Sequence, residues 1–323
     1  MPRRGRLLAA IAAVLLAVAA LSLLGGWFSA GPLPAEKAFF VPDGASLGTV
    51  AARLEASGAI KSASSFRRRA RIFGGGAPIK AGEFLLPKGA SPSQILAILQ
   101  GDEVLRRFVT VPEGMPSIMV YERLMAQPLL TGDIAVPPDG SILPDTYEIE
   151  RGETRQAVLL RMQAAMQRTL AELWAKRAPG IAVTTPQQAL ALAAIVEKET
   201  GKPSERRIVA GLYSNRLRQG IMLQADPTII YPITRGKPLG RRILQSEIQA
   251  INDYNTYSMI GLPKGPITNP GKASIEAVLN PAKTDALYMV ADGTGGHQFA
   301  TTLPQHNANV ERWFAIRRAR GEI

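Results

Sequence analysis

Two glutamates two residues apart, Glu197 and Glu199, close an apolar stretch that reads Leu192-Ala-Ala-Ile-Val-Glu197-Lys-Glu199-Thr200. At about 100° per residue, Ala189, Leu192, Ile195, Val196 and Glu199 share one helix face. Glu197 points roughly 120° or more away, with Leu190 and Ala194. A carboxylate on a core-facing stripe is disfavoured in its charged form. Its pKa rises, and it can hold a proton near neutral pH, which is what a general acid requires. A slight roll of the helix, or an earlier end to it, leaves both glutamates merely solvated or paired. Glu197 is a poor second carboxylate, because residues two apart on a helix do not face each other. Asp226 serves better if water is the nucleophile.

Other reactive types are few. The chain has no cysteine, so it has no disulfide, thiolate metal site or thiol nucleophile. His297, His306 and Asp292 match no compact ligand spacing, and neither a metal nor a cofactor is expected. Asp226-Pro227-Thr228 is also a good helix start, so Asp226 has a capping role open to it. Tyr254 and Tyr257 offer aromatic platforms or simply packing surface. Asn215 and Arg216 end a helix, where Arg216 suits the negative pole of the dipole.

The glutamate helix begins after Thr184-Thr185-Pro186, with a threonine cap and proline in the first turn. A long amphipathic helix from Thr154 to Arg177 precedes it, and a third, Ser204 to Gln219, follows and stops at Gly220. Residues 222–270 are dense in Asp, Asn, Tyr, Gly and Pro, which suits a site-lining surface. Ala286–Ala291 and Gln298–Thr301 flank Asp292-Gly-Thr-Gly-Gly296 as a hairpin, and a last helix runs from Asn307 to about Arg320.

Earlier in the chain a turn signal recurs: Val41-Pro-Asp-Gly-Ala-Ser46, Leu86-Pro-Lys-Gly-Ala-Ser91 and Val111-Pro-Glu-Gly-Met-Pro-Ser117. Each joins an extended segment to a helix, with the serine placed to cap it. Helices are expected over Leu47 to Ala56, about Ser62 to Phe73, and around Ile95 to Leu99, and a strand over Ala81 to Leu86. Strand, helix, helix, strand over 39–87 resembles a LysM-like carbohydrate-binding module. The same pattern also suits a mere spacer.

At 323 residues and 46% hydrophobic content the chain is globular, with room for two domains. Residues 7–28 carry no charge, follow Arg3, Arg4 and Arg6, and meet the length of a membrane-spanning helix. A cleaved signal peptide competes. The apolar run exceeds a signal core of about 7 to 15 residues, which favours an uncleaved anchor. The net charge of +12 suits acidic lipid head groups or an anionic polymer. Nucleic acid is not an expected partner of a translocated chain, and Arg67-Arg68-Arg69-Ala-Arg71 reads as a solvated helix face.

In order along the chain stand Glu197-Lys-Glu199-Thr200, Ser204-Glu205-Arg206, Asn215-Arg216-Leu217, Leu223-Gln-Ala-Asp226-Pro227-Thr228, Tyr254-Asn255-Thr256-Tyr257, Gly261-Leu-Pro-Lys-Gly-Pro266, Asn269-Pro-Gly271 and Gly295-Gly-His297-Gln-Phe299. Together they resemble the MltG (YceG-like) endolytic murein transglycosylases over essentially the whole chain. The resemblance implies that the substrate is the glycan strand of peptidoglycan, that the product ends in a 1,6-anhydro-muramyl sugar, and that the catalytic glutamate is Glu199. It implies one acid that later acts as base, whereas ordinary glycoside hydrolysis wants two carboxylates. Gln224, Asp226, Asn255, Tyr257, Thr200 and Asn215 are then the groups that hold sugar or orient Glu199. The resemblance also implies peptidoglycan synthases as partners. The chain departs from the family pattern at Leu143, before Pro144-Asp145-Thr146-Tyr147, where an aromatic residue is expected.

The resulting expectation is an α+β protein with an N-terminal transmembrane helix, a small LysM-like α+β domain and a larger α+β catalytic domain. Its parts are a cytoplasmic basic tail over 1–6, an anchor over 7–28, a linker over 29–38, the LysM-like domain over 39–108 and the catalytic domain over 109–323. The location that follows is the bacterial inner membrane, single-pass, with the N-terminus cytoplasmic and the catalytic domain periplasmic. A peptidoglycan hydrolase and a non-catalytic wall-binding scaffold are the rival readings.

Overall fold

The computed structural model describes residues 3–323; for residues 3–9, 19, 20 and 23 it describes the backbone alone. The chain is α+β and divides into two compact units, residues 1–107 and 108–323.

In the first unit a long helix, α1 (Arg3–Phe28), precedes β1 (Lys37–Val41), α2 (Leu47–Ala56), α3 (Ala63–Phe73), β2 (Gly82–Leu86) and α4 (Pro92–Gln100). The strands pair antiparallel, with Phe39 opposite Phe84 and Val41 opposite Gly82. Phe39, Val41, Val50, Leu54, Phe66, Phe84, Leu86, Ile95 and Leu99 form their common core. Two of the three expected serine caps are present. Ser46 accepts the Thr49 N–H at 3.1 Å, and Ser91 and Gln94 complete a reciprocal capping box.

The membrane-spanning anchor expected over 7–28 is corrected here. Among the described residues, no helix is long and apolar enough to cross a membrane. The end of the expected span is also taken up by protein. Trp27 is buried against Phe66 and Phe73, with ring centroids 5.8 and 6.1 Å away, and Arg69 donates to Gly26 O at 3.0 Å and Ser22 O at 3.3 Å. The single-pass inner-membrane location falls with that span, and the side chains of the basic tail expected over 1–6 lie outside the described residues. Leu33, in the expected linker, is buried in the same core.

The second unit opens in β3 (Arg107–Thr110), which pairs with β4 (Thr146–Ile149), with α5 (Ser117–Met125) between them. The third serine does not cap. Pro116 is the cap residue, and Ser117 sits in the helix, giving its N–H to Asp139 Oδ1 at 2.7 Å and its hydroxyl hydrogen to Pro138 O at 3.0 Å. Then come α6 (Arg155–Ala175), α7 (Pro186–Glu199), a 3-10 turn (Pro203–Glu205), α8 (Arg206–Arg218), α9 (Asp226–Thr234), α10 (Gln245–Ile248), α11 (Lys272–Leu279), the hairpin β5 (Tyr288–Ala291) and β6 (His297–Ala300), and α12 (Leu303–Ala319). In that hairpin Met289 stands opposite Phe299.

α7 is the spine of this unit. Thr185 caps it and Pro186 occupies its first turn, as their types dictate. Every residue from Ala189 to Val196 is buried, with α6, α8, α9 and α11 packed around them. Four of these eight residues are alanine, whose small side chains let the surrounding helices approach. Leu192 and Ile195 are fully buried, each contributing about 2 kcal/mol by the area they remove from water. A helix apolar all round is a core helix, so the one-sided stripe expected for it is incorrect. What separates Glu197 from Glu199 is the neighbourhood of each carboxylate.

Candidate functional site

Glu197 lies in the last turn of α7, two residues before its end, and its carboxylate is satisfied. Oε2 accepts the Gly271 N–H at 2.9 Å, and Oε1 lies 3.9 Å from the Arg206 guanidinium, which also meets Glu113 at 3.3 Å. Only 7% of the Glu197 side chain is exposed. The Glu113 carboxylate packs so closely on Gly271 that a Cβ there would make that side chain swing away. Glu197 fastens α7 to the start of α11.

Glu199, the last residue of the helix, has the opposite surroundings. Its Oε1 is buried and meets no hydrogen-bond partner. Burial, then the negative charge of Asp226, push its pKa up to about 7, while the Tyr213 hydroxyl and the Arg216 guanidinium work the other way. An unpartnered buried carboxyl oxygen is costly, and such groups are often functional. Glu199 lines a cleft of about 360 Å³ together with Lys198, Tyr213, Arg216, Gln224, Asp226, Tyr257 and Met289.

Arg216 organises the cleft. Its Nε donates to Leu287 O at 2.6 Å, and one terminal nitrogen donates to Met222 O at 3.0 Å, Leu223 O at 2.9 Å and Gln224 Oε1 at 3.3 Å. Its guanidinium also stands over the Tyr288 ring, 5.3 Å from the centroid. One buried cation thus joins the end of α8, the turn before α9 and the approach to β5. This is a larger part than an interaction with the helix dipole.

Gln224 occupies that turn with φ of 54°, a left-handed conformation uncommon outside glycine. Its N–H donates to Thr256 O at 3.1 Å, and the next N–H, of Ala225, donates to Thr256 Oγ1 at 3.0 Å. Asp226 follows as the first residue of α9. The cap residue is Ala225, so Asp226 does not cap, and its Oδ1 accepts the Tyr257 hydroxyl at 2.6 Å. Burial and the charge of Asp226 raise the Tyr257 pKa, leaving the phenol a firm donor.

Four of the seven residues singled out in the sequence, Glu199, Gln224, Asp226 and Tyr257, meet at the cleft. Thr200, Asn215 and Asn255 are elsewhere. The Thr200 hydroxyl turns to Glu205 Oε2 at 3.4 Å and accepts the Lys202 N–H at 3.1 Å. Asn215 donates to Thr284 O at 2.7 Å and Ala286 O at 3.1 Å, tying α8 to the segment before β5. Asn255 is fully buried, donates to Ile248 O at 2.9 Å and Ala250 O at 2.7 Å, and accepts the Tyr257 N–H at 3.0 Å. It sets the loop that delivers Tyr257. Tyr254 packs on Tyr231, centroids 4.7 Å apart, and Leu143 packs against the second unit's core.

Tyr213 is the residue that sequence reasoning missed. Buried on α8, it shares a face with Arg216 at i, i+3, and that spacing was available in the sequence. Burial and then the neighbouring Glu199 raise its pKa well above that of a free tyrosine. His297 and His306 are far apart in their engagements. His297 Nδ1 lies 2.8 Å from Glu205 Oε2, and His306 stacks on Tyr288 at 5.2 Å between centroids.

The chain resembles known proteins over most of its length. The chain is 25% identical over 307 residues to an endolytic murein transglycosylase of Bacillus subtilis, covering 85% of this chain and 84% of that one. It is 27% identical over 320 residues to an endolytic murein transglycosylase of Streptococcus pneumoniae serotype 2, covering 84% of this chain but only 57% of that longer protein. Its fold matches the crystal structure of a yceG-like protein from Listeria monocytogenes with a TM-score of 0.55 at 25% identity, over 84% of this chain and 98% of that one. The model of the YceG-like family matches residues 39–312, most of both units, and the chain belongs to that family.

Proposed function

We propose that this protein is a peptidoglycan lytic transglycosylase that cuts glycan strands internally and leaves 1,6-anhydro-muramyl ends, with Glu199 as its single acid and base. The names carried by its relatives support the reaction class. The observation that carries the assignment of the acid is the unpartnered, buried Oε1 of Glu199 beside Asp226 in an open cleft.

A pKa of about 7 keeps a large share of Glu199 protonated at neutral pH. The proton passes to the glycosidic oxygen, the C1–O bond breaks, and positive charge develops on the ring. Asp226, held by Tyr257, is an anion positioned to favour that charge. The sugar's own 6-hydroxyl then bonds to C1 and gives its proton to the Glu199 carboxylate. The enzyme is regenerated and no water is consumed. Gln224 and Tyr257 contribute polar groups to the wall that holds the sugar. Thr200, Asn215 and Asn255 act behind that wall, through the loops they fix.

Residues 39–108 serve in this reading as a LysM-like glycan-binding module and residues 109–323 as the catalytic region. The antiparallel pair β1–β2 with α2 and α3 between the strands supports the former. The family resemblance supports peptidoglycan synthases as its working partners. The test is digestion of purified glycan strands by the full chain and by Glu199→Gln, with the new ends identified by mass spectrometry. Anhydro ends that vanish in the variant support the reading; anhydro ends undiminished in Glu199→Gln refute the assignment of the acid.

A further inference from the structure

The carboxylate of Glu205, in the 3-10 turn between α7 and α8, is buried outside the cleft lining and is surrounded by donors. Oε2 meets the Thr200 hydroxyl at 3.4 Å and His297 Nδ1 at 2.8 Å; Oε1 accepts the His297 N–H at 3.1 Å and lies 3.5 Å from Lys202 Nζ. Burial works against its charge, but the His297 bonds and the Lys202 charge outweigh it and hold the carboxyl below its ordinary range. It is therefore an acceptor only, and Nδ1 of His297 carries the hydrogen between them. The backbone at 296 comes so close that a Cβ there would strike Glu205 Oε1 and crowd Lys202 Nζ. Asp292 braces this approach from within the hairpin by accepting the N–H groups of Thr294 at 2.7 Å and Gly296 at 3.1 Å.

Two things meet at this carboxylate. Thr200 is the residue that ends α7, directly after Glu199. His297 begins β6, and its partner strand β5 carries Met289, which lines the cleft. The geometry points to Glu205 as a positioning residue that clamps the end of the acid helix to the β5–β6 hairpin, so that Glu199 stays in the last turn with its carboxyl shielded from water. This rests on the reading of Glu199 as the acid. A helix end is where the backbone frays first, because its last carbonyls lack partners within the helix. Here the shield depends on that turn holding its place. Released from Glu205, Thr200 frees the turn and the hairpin wall loses one of its ties, others being Arg216 to Leu287 and Asn215 to Thr284 and Ala286.

Glu199 itself faces Lys198, Tyr213, Arg216, Asp226 and Tyr257 in the cleft, none of which is altered by a change at Glu205. The experiment is therefore a direct titration of the Glu199 carboxyl by carbon-13 NMR in the full chain, compared among wild type, Glu205→Gln and Thr200→Val, with melting temperatures and steady-state kinetics alongside. An amide at 205 loses one acceptor where four donor groups converge, and valine at 200 removes the linking hydroxyl, which also accepts the Lys202 N–H. The expected result is a Glu199 midpoint lowered by about half a pH unit or more in both variants. A kcat lower by about tenfold, with KM little changed, should accompany it. An unmoved midpoint in a folded variant overturns the proposal, even if the melting temperature falls, since that is a purely structural loss. If Glu205→Gln does not fold, Thr200→Val alone decides. Because the titration needs no turnover, a protein that makes no anhydro ends refutes the proposed reaction without touching this result.

Discussion

Tyr257 gives its hydroxyl hydrogen to Asp226 Oδ1 at 2.6 Å, and the aspartate so held is, after burial, the strongest influence raising the pKa of Glu199. The acid is thus tuned by a second carboxylate that is itself fixed by a phenol. The rate should fall as pH rises through about 7, where Glu199 loses its proton. Asp226→Asn removes the negative charge and moves that basic limb to lower pH, whereas Tyr257→Phe leaves the charge but frees it to move. A pH profile of kcat/KM on both variants checks this, and a basic limb unmoved in Asp226→Asn contradicts it.

Stability carries the same signature. The folded-state pKa of Glu199 lies above its ordinary value of 4.5, so the folded protein binds a proton that the unfolded chain releases. That stabilising contribution is complete below about pH 4.5 and is lost as pH climbs through about 7. The difference amounts to about 3 kcal/mol at most. Glu199→Gln should therefore raise the melting temperature relative to wild type more at pH 8 than at pH 4.5. Equal shifts at the two pH values contradict the burial of a proton-holding carboxyl.

Glu197 should behave as a fastener. Glu197→Ala leaves the Gly271 N–H and part of Arg206 without a partner, at a cost of about 1 to 3 kcal/mol. Chemical denaturation should show that loss, while the product ends made per folded molecule stay the same. Loss of cleavage in a folded variant would mean that the two glutamates have been assigned the wrong way round.

Asn255 should likewise affect folding before binding. Its amide donates to Ile248 O and Ala250 O and its oxygen takes the Tyr257 N–H, all in a fully buried site. Asn255→Ala should lower stability by about 2 to 4 kcal/mol, since several buried groups are stranded at once. A variant with wild-type stability and a raised KM would return Asn255 to the sugar.

Much of the scaffold was legible because it is written in local chemistry. Thr185 with Pro186, Ser46 and Ser91 start helices by types that satisfy free N–H groups, and these starts are found where their residues stand. Ser117 failed as a cap because Asp139, far along the chain, supplies the acceptor instead. No local rule sees such a partner. The face argument singled out Glu199, yet its premise failed, since Leu190 and Ala194, on the other side of the helix, are buried too. The two carboxylates differ through Gly271, Arg206 and Asp226, all supplied by other elements. Tyr213 was overlooked because a tyrosine on the buried face of a helix reads as core until its hydroxyl is seen to meet a carboxyl.

The most direct test of the central claim is the mass of the new chain ends when wild-type protein cuts glycan strands in oxygen-18 water. Intramolecular attack by the 6-hydroxyl predicts ends lighter by one water than a reducing sugar and free of the heavy isotope. Reducing ends that carry oxygen-18 would show that water is the nucleophile, with Asp226 as its base, and would contradict the account.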